Sequence, residues 1–211
     1  MELIKYLNEY FYTKQQLLDV AKVTEFEFEH FMKQGIMPHC SYRLKVEIMS
    51  DSFFGEHKEA DSIEYFSKGY VAWLGLLQAL DNTNNAYPIF VKRYKQQIDY
   101  LTKKGFVSCD PKVNNAVDSH IKEEWGHFIS GTYGLCTKSG LPEDIASKEI
   151  AILVINDFIG RKELSRSEEV ELTNAVNLLD LSSSLFAPHE RSKSSRHRLI
   201  NEVRRKFRLT E

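Results

Sequence analysis

Thr13-Lys-Gln-Gln-Leu-Leu-Asp-Val-Ala-Lys-Val-Thr-Glu-Phe-Glu-Phe-Glu-His-Phe-Met-Lys-Gln-Gly-Ile-Met-Pro38 decides how this chain is read. Thr13 with Gln16, and Thr24 with Glu27, each have the spacing of a capping box, in which two side chains satisfy free N–H groups at a helix start. Two short helices therefore begin near residues 14 and 25. Gly35 suits a left-handed C-cap, and Ile36-Met37-Pro38 cannot continue the second helix. Residues 13–38 predict a helix, a tight turn, a second helix and a stop.

Upstream, Leu3, Ile4, Leu7 and Phe11 recur at helical spacing and predict an amphipathic helix over the first ten residues. Downstream, Tyr42, Leu44, Val46 and Ile48 alternate with Arg43, Lys45 and Glu47, the period of a half-buried strand. Leu17, Leu18, Val23, Phe26 and Phe31 occupy core positions of the helix pair. With them, the stretch resembles the N-terminal half of a MerR-type winged helix over about 35 residues. In that family the second helix reads the major groove, which needs Lys and Arg toward phosphates and bases. Here that helix carries Glu25, Glu27 and Glu29 against Lys33. Residues 1–50 hold six Lys and Arg against seven Asp and Glu. The acidic second helix therefore favours a packing or protein-contact module over the DNA reader that the resemblance implies.

Residues 49–66 show no clean period and are expected to form an ordered linker. Beyond them helical patterns dominate. Lys103-Lys104-Gly105 closes one helix, Asp110-Pro111 opens the next, and Pro142 with Glu143 and Asp144 opens another. Ser165 with Glu168 is a third capping box, and Ser194-Ser195 starts the last helix. The expectation is a mainly α protein. A helix-turn-helix (winged-helix-like) unit with one short strand spans residues 1–48, a linker spans 49–66, and a bundle of about five or six helices spans 67–211.

The 211 residues weigh 24.5 kDa, with 42% hydrophobic and 27% charged residues. Such a chain builds a core and is not disordered or low-complexity. The start has neither the basic nor the apolar region of a signal peptide, and the longest apolar run, residues 150–155, is far below the roughly 20 needed to cross a bilayer. Three widely spaced cysteines, 40, 109 and 136, argue against a disulfide framework or a thiolate zinc site. A cytoplasmic location follows as the expectation.

Twenty-eight Lys and Arg against 30 Asp and Glu give a net charge of −2, but that balance is a cancellation. Residues 186–211 hold eight bases and three acids, leaving 20 bases and 27 acids before them. In the last helix Leu199, Ile200, Val203 and Phe207 form an apolar stripe with Arg198 and Arg205 opposite. Arg196 falls on the apolar side, so it must meet a carboxylate, a carbonyl or an anion. With His189, Arg191, Ser194 and Ser195 it could cradle a phosphate or carboxylate at a helix start. Alternatively, Arg191 and Arg196 pair with the acidic remainder of the chain.

In a helical pattern His120, Glu124 and His127 project within about 60° of one another. Glu124-x-x-His127 has the spacing of a carboxylate-bridged di-iron helix, and an imidazole beside a carboxylate suits a divalent metal. A full di-iron site wants a second such pair, and the other match, Glu27-x-x-His30, lies in the N-terminal unit. The plainer reading makes His120 and Glu124 surface or salt-bridged residues and His127 a core histidine. No nucleophile elbow, phosphate loop or dinucleotide fingerprint is present, which disfavours those enzyme classes. Cys136 is a buried structural cysteine or a reactive thiol near His127.

Residues 123–144, with Glu124, Trp125, His127, Gly131, Gly134 and Pro142, and residues 186–196, from Phe186 to Arg196, are similar to an uncharacterised bacterial family of about this length. Its members are sometimes labelled as associated with natural-product biosynthesis. The resemblance implies a relative and carries no site residues. Three functions are weighed: a helical accessory or small-ligand (anion) binding protein, a regulatory or scaffold protein using an acidic helix-turn-helix, and an atypical DNA-binding regulator. The first predicts that the His120/Glu124/His127 face and the 189–196 segment meet around a pocket. The second predicts an exposed apolar patch without one. Expected partners are a small anionic ligand, a protein, or a second copy in a homodimer, and neither nucleic acid nor membrane. No cofactor is predicted beyond a divalent metal at His120, Glu124 and His127.

Overall fold

A computed structural model describes residues 1–209 of the chain. It opens with helix α1 (Glu2–Tyr10) and a three-residue strand β1 (Phe11–Thr13), followed by α2 (Lys14–Ala21) and α3 (Glu25–Lys33). Both expected capping boxes form. Thr13 Oγ1 accepts the Gln16 amide at 3.3 Å and the Thr13 amide donates to Gln16 at 3.0 Å. Thr24 and Glu27 make the same reciprocal pair at 3.2 and 2.8 Å. Gly35 takes a φ of +65° past α3, as the C-cap signal requires, and the Ile36 amide reaches back to the Phe31 carbonyl at 3.2 Å.

The expected single strand and linker are overturned. Strands β2 (Tyr42–Ser52) and β3 (Gly55–Ser67) pair antiparallel from Tyr42↔Tyr65 to Ser52↔Gly55. Strand β1 joins the other edge of β3 through Phe11↔Ser67 and Thr13↔Tyr65, giving the order β1-β3-β2. The fold is therefore helix-rich with a three-stranded antiparallel sheet, and not a helix-turn-helix unit with one strand. Residues 49–66 are strand and turn. Their side chains are exposed on both faces until Ile63, so nothing selects an alternating pattern there.

Seven helices follow among the described residues, two of them short: α4 (Tyr70–Gln78), α5 (Ala86–Lys103), α6 (Val117–Ile129), α7 (Thr132–Cys136), α8 (Pro142–Ile159), α9 (Arg166–Ser182) and α10 (Glu202–Phe207). Asp110-Pro111 opens a single 3-10 turn, with Asp110 Oδ1 accepting the Lys112 amide at 2.9 Å, and α6 starts only at Val117. Helix α8 is the central element. It packs against both α5 and α9, and Ile145, Ile150, Val154, Ile155 and Phe158 are buried around its circumference. That all-round burial explains the apolar run at residues 150–155 without a membrane. No helix among the described residues is long and apolar enough to cross one.

One cluster of buried side chains runs from Leu17 and Phe28 through Trp73, Phe90 and Phe128 to Leu199 and Val203. The N-terminal unit and the helical body thus share a core. Trp73 Nε1 donates to the Ile36 carbonyl at 2.8 Å, and its ring meets Phe128 edge-on at 4.9 Å. A smaller cluster of Tyr6, Leu7, Phe11, Tyr65 and Ala187 joins α1 and the sheet to the segment after α9.

Candidate functional site

The segment leaving α9 is stapled to the loop after α7. Thr137 and Ser183 form an isolated antiparallel bridge, Lys138 N donates to the Ser182 carbonyl at 2.9 Å, and Ser184 Oγ donates to the Leu135 carbonyl at 2.6 Å. These bonds hold open a cavity of about 300 Å³ beneath the N-terminal unit. Tyr6, Tyr10 and Phe11 from the N-terminal unit and Leu181 and Leu185 from the segment leaving α9 line it with apolar side chains. Thr137, Lys138, Asp180, Ser183, Ser184 and Arg196 are among its polar lining groups. Burial pushes the Tyr6 phenol up to about 12, so it stays a neutral hydroxyl.

Ser183 is only 5% exposed, and its hydroxyl has no hydrogen-bond partner among the described residues. An unmade bond at a buried hydroxyl costs about 1–3 kcal/mol, so a lining group in this state favours a ligand that completes it. Charge points the same way. Asp180 is shared by Arg196 and Arg204, the latter at 2.9 Å, so one carboxylate faces two guanidiniums. Lys138 adds an exposed ammonium on the same cavity. The cavity therefore pairs apolar side chains with two cationic ones, Lys138 and Arg196, against the single carboxylate of Asp180.

The expected cradle is brought together in part. Arg191, Ser194 and Arg196 line an adjoining open cleft of about 530 Å³. His189 and Ser195 do not line it; His189 is exposed, 3.8 Å from Glu190. Ser194 is committed locally, donating to the Arg191 carbonyl at 2.7 Å and accepting the His197 amide at 3.0 Å. Arg191 Nε donates to the Phe186 carbonyl at 3.3 Å. Arg196, placed by sequence on the apolar side, meets the carboxylate of Asp180.

The His120/Glu124/His127 face does not reach this cavity, whose lining includes none of the three. His120 and Glu124 are buried in the helical body and ion-paired, which fits the salt-bridged alternative and not the surface one, while His127 is exposed, against the core reading. In place of His127, Glu149 of α8 comes to 3.6 Å from His120 Nε2, and Glu124 lies at 3.8 Å. Tyr133 of α7 donates to Glu124, and Lys112 holds Glu149 at 3.2 Å. Burial raises the Glu124 carboxyl above its usual range, opposed by the Tyr133 hydrogen bond. No group of three or more His, Cys, Asp and Glu among the described residues is arranged to hold a metal.

A family model described as a family of unknown function, DUF6058, matches residues 86–208, more than half of the chain. The chain belongs to that family. No curated protein and no solved structure matches it. The DUF6058 segment begins with α5 and carries α6 to α10, including Thr137, Lys138, Ser183 and Arg196. The apolar wall of Tyr6, Tyr10 and Phe11 lies outside it, so the cavity of this DUF6058 chain sits where the family segment meets the N-terminal unit.

Ser183, Lys138 and Glu149 escaped the sequence reading. Ser182-Ser-Ser184 is a polar run at the end of α9, but the bridge from Ser183 to Thr137 is long-range and leaves no local signal in the sequence. The acids of α3 also have local work. Lys14 bonds Glu25 at 3.0 Å and Glu29 at 2.7 Å, and Glu27 serves the Thr24 cap.

Proposed function

We propose that this chain is a binding protein for a small amphipathic anion, an aromatic or aliphatic carboxylate or phosphate ester. The ligand lies between Tyr6, Phe11 and Leu185 with its charged group toward Lys138 and Arg196. The observation that carries the reading is the buried, unpartnered hydroxyl of Ser183 in the wall of a cavity that pairs apolar side chains with excess positive charge. Nucleic acid does not enter it, because α3 presents three carboxylates and one lysine beside His30. A reducing, cytoplasmic setting goes with the reading, since Cys40, Cys109 and Cys136 are free thiols.

The test uses anilinonaphthalene sulfonate, an aromatic anion whose fluorescence rises on binding, and its displacement from the full chain by benzoate, benzyl alcohol or inorganic phosphate. Benzoate should displace it and neutral benzyl alcohol should do so at least about tenfold less well, the worth of one charged contact. Lys138→Ala, at an exposed side chain, should weaken benzoate by about tenfold, and Leu185→Glu should weaken it further by setting a carboxylate in the wall. Phosphate competing as well as benzoate would make the charged group the whole ligand. Equal displacement by benzoate and benzyl alcohol, or variants indistinguishable from wild type, would overturn the reading.

A further inference from the structure

Strand β1 covers β3 only at Tyr65, Phe66 and Ser67, so from Arg43 outward β2 and β3 project as a two-stranded ribbon. Strand β2 is the edge of the sheet, and no backbone group of residues 43–52 hydrogen-bonds to any described element besides β3. Ile48 and Met49 are exposed on the ribbon, and at its tip Phe53 and Phe54 are 98% and 95% exposed, their rings edge to face at 5.4 Å. An isolated hairpin is marginally stable in water, and a long open edge with apolar side chains is a template for another strand.

The residues along that edge specify the occupant. We infer that β2 pairs antiparallel with β2 of a second copy of this chain, about a two-fold axis through Val46. In that register Lys45 lies opposite Glu47 of the second copy, and Glu47 opposite its Lys45, on one face of the sheet. On the other face Val46 meets itself and Leu44 lies opposite Ile48, extending the apolar surface that Tyr42, Leu44 and Ile63 already form against Tyr6 and Leu7. Other registers match less well. Centring the axis on Leu44 sets Arg43 against Lys45, and centring it on Lys45 or Glu47 sets like charge against itself. Centring it on Ile48 pairs Lys45 with Asp51 but leaves Glu47 opposite Met49 and sets Val46 and Leu44 against Ser50 and Ser52, whereas the Val46 register keeps its apolar face unbroken and leaves opposite Met49 only Arg43, which Glu64 already holds. Charges that normally protect an edge strand from pairing here become complementary under the two-fold. The same pairing carries Phe53 and Phe54 alongside the residues that precede Tyr42 in the other copy, giving these exposed rings a surface to cover.

The experiment is sedimentation equilibrium of the full chain at low salt, from micromolar to millimolar concentration. Wild type should form a dimer. Lys45→Glu or Glu47→Lys alone should weaken it about tenfold to a hundredfold, since each sets two like-charge pairs where two attractive pairs stood, and added salt should recover part of the loss. The double variant Lys45→Glu/Glu47→Lys restores opposite charges in the same register and should restore the dimer. Both positions are exposed, so the fold is unaffected, which circular dichroism checks. A wild type that stays monomeric, singles that dimerise as wild type does, or a double no better than the singles would each overturn the register. So would a dimer abolished by Phe53→Ser/Phe54→Ser yet indifferent to both charge variants.

Discussion

Arg196 donates both to the carboxylate of Asp180 and, at 3.4 Å, to its backbone carbonyl, so the arginine that sequence places on an apolar face is fixed to the end of α9. Asp180 also holds Arg204, and its loss takes the carboxylate from two guanidiniums that are each about a fifth exposed, at 22% and 19%, leaving Arg204 with Asn177 and Arg196 with the backbone carbonyl. Asp180→Ala should therefore cost about 1–3 kcal/mol, between the ranges for exposed and fully buried pairs. Arg196→Ala leaves Arg204 on the carboxylate and should cost less. Urea midpoints falling in the order wild type, Arg196→Ala, Asp180→Ala check this; the reverse order would show that the arginine matters through packing alone.

A different signature belongs to Glu124. Burial favours its neutral form, so its folded pKa lies above its unfolded value. The sign follows: stability from this group is fully present below the unfolded carboxyl pKa and is lost as pH rises through the raised folded one. Glu124→Gln stays neutral at every pH and should gain on wild type as pH rises from about 4.5. Urea midpoints of the two proteins at successive pH values measure that gap. Parallel curves would mean that Tyr133 and His120 fully offset the burial of the charge.

Gly131 precedes α7 at a φ of +84°, and a Cβ there would sit 2.5 and 2.8 Å from the backbone carbonyl oxygens of His39 and Cys40. Backbone on both sides cannot yield as a side chain would. Gly131→Ala should destabilise by about 2–4 kcal/mol, combining left-handed strain with overpacking. Gly75 is the matched contrast: it lies inside α4 with nothing within 4 Å of the added Cβ. Gly75→Ala should stabilise by roughly 0.5–1 kcal/mol through helix propensity. Thermal midpoints moving in opposite directions confirm the pair of effects.

Signals confined to one turn of chain were readable in advance. The capping boxes at Thr13, Thr24 and Ser165 form, Pro142 starts α8, and Ser194 caps the turn into the last helix. The ribbon was not readable, because alternation reports a buried face and residues 50–60 have none. The capping boxes of residues 13–38 predict the helix pair, while the helical spacing that ends on Phe11 hides β1, whose three residues pair with a strand more than 50 positions away, at Phe11↔Ser67. At the site, Arg196 was identified as the arginine needing a partner, yet that partner, Asp180, sits 16 residues earlier on another helix. His120 and Glu124 were placed on one face, whereas the third member, Glu149, arrives by packing of α8. Chemistry was legible where one helix carries it and hidden where two elements meet.

Trp73 tests whether the two parts of the chain unfold together. Its indole N–H bonds the Ile36 carbonyl of the N-terminal unit while its ring lies in the body core against Phe128 and Trp125. Trp73→Phe leaves that carbonyl without the indole and opens a void, and should cost about 2–4 kcal/mol. Since the buried cluster is continuous from Leu17 to Val203, the loss should lower one transition rather than split it. Trp125 remains as the fluorescent reporter of the body, and far-ultraviolet circular dichroism reports the whole chain. Coincident urea transitions by the two probes, in wild type and in variant, are expected. A wild-type protein whose fluorescence transition falls apart from its dichroism transition would mean that the N-terminal unit folds on a core of its own, and that the cavity between it and the family segment opens before either part unfolds.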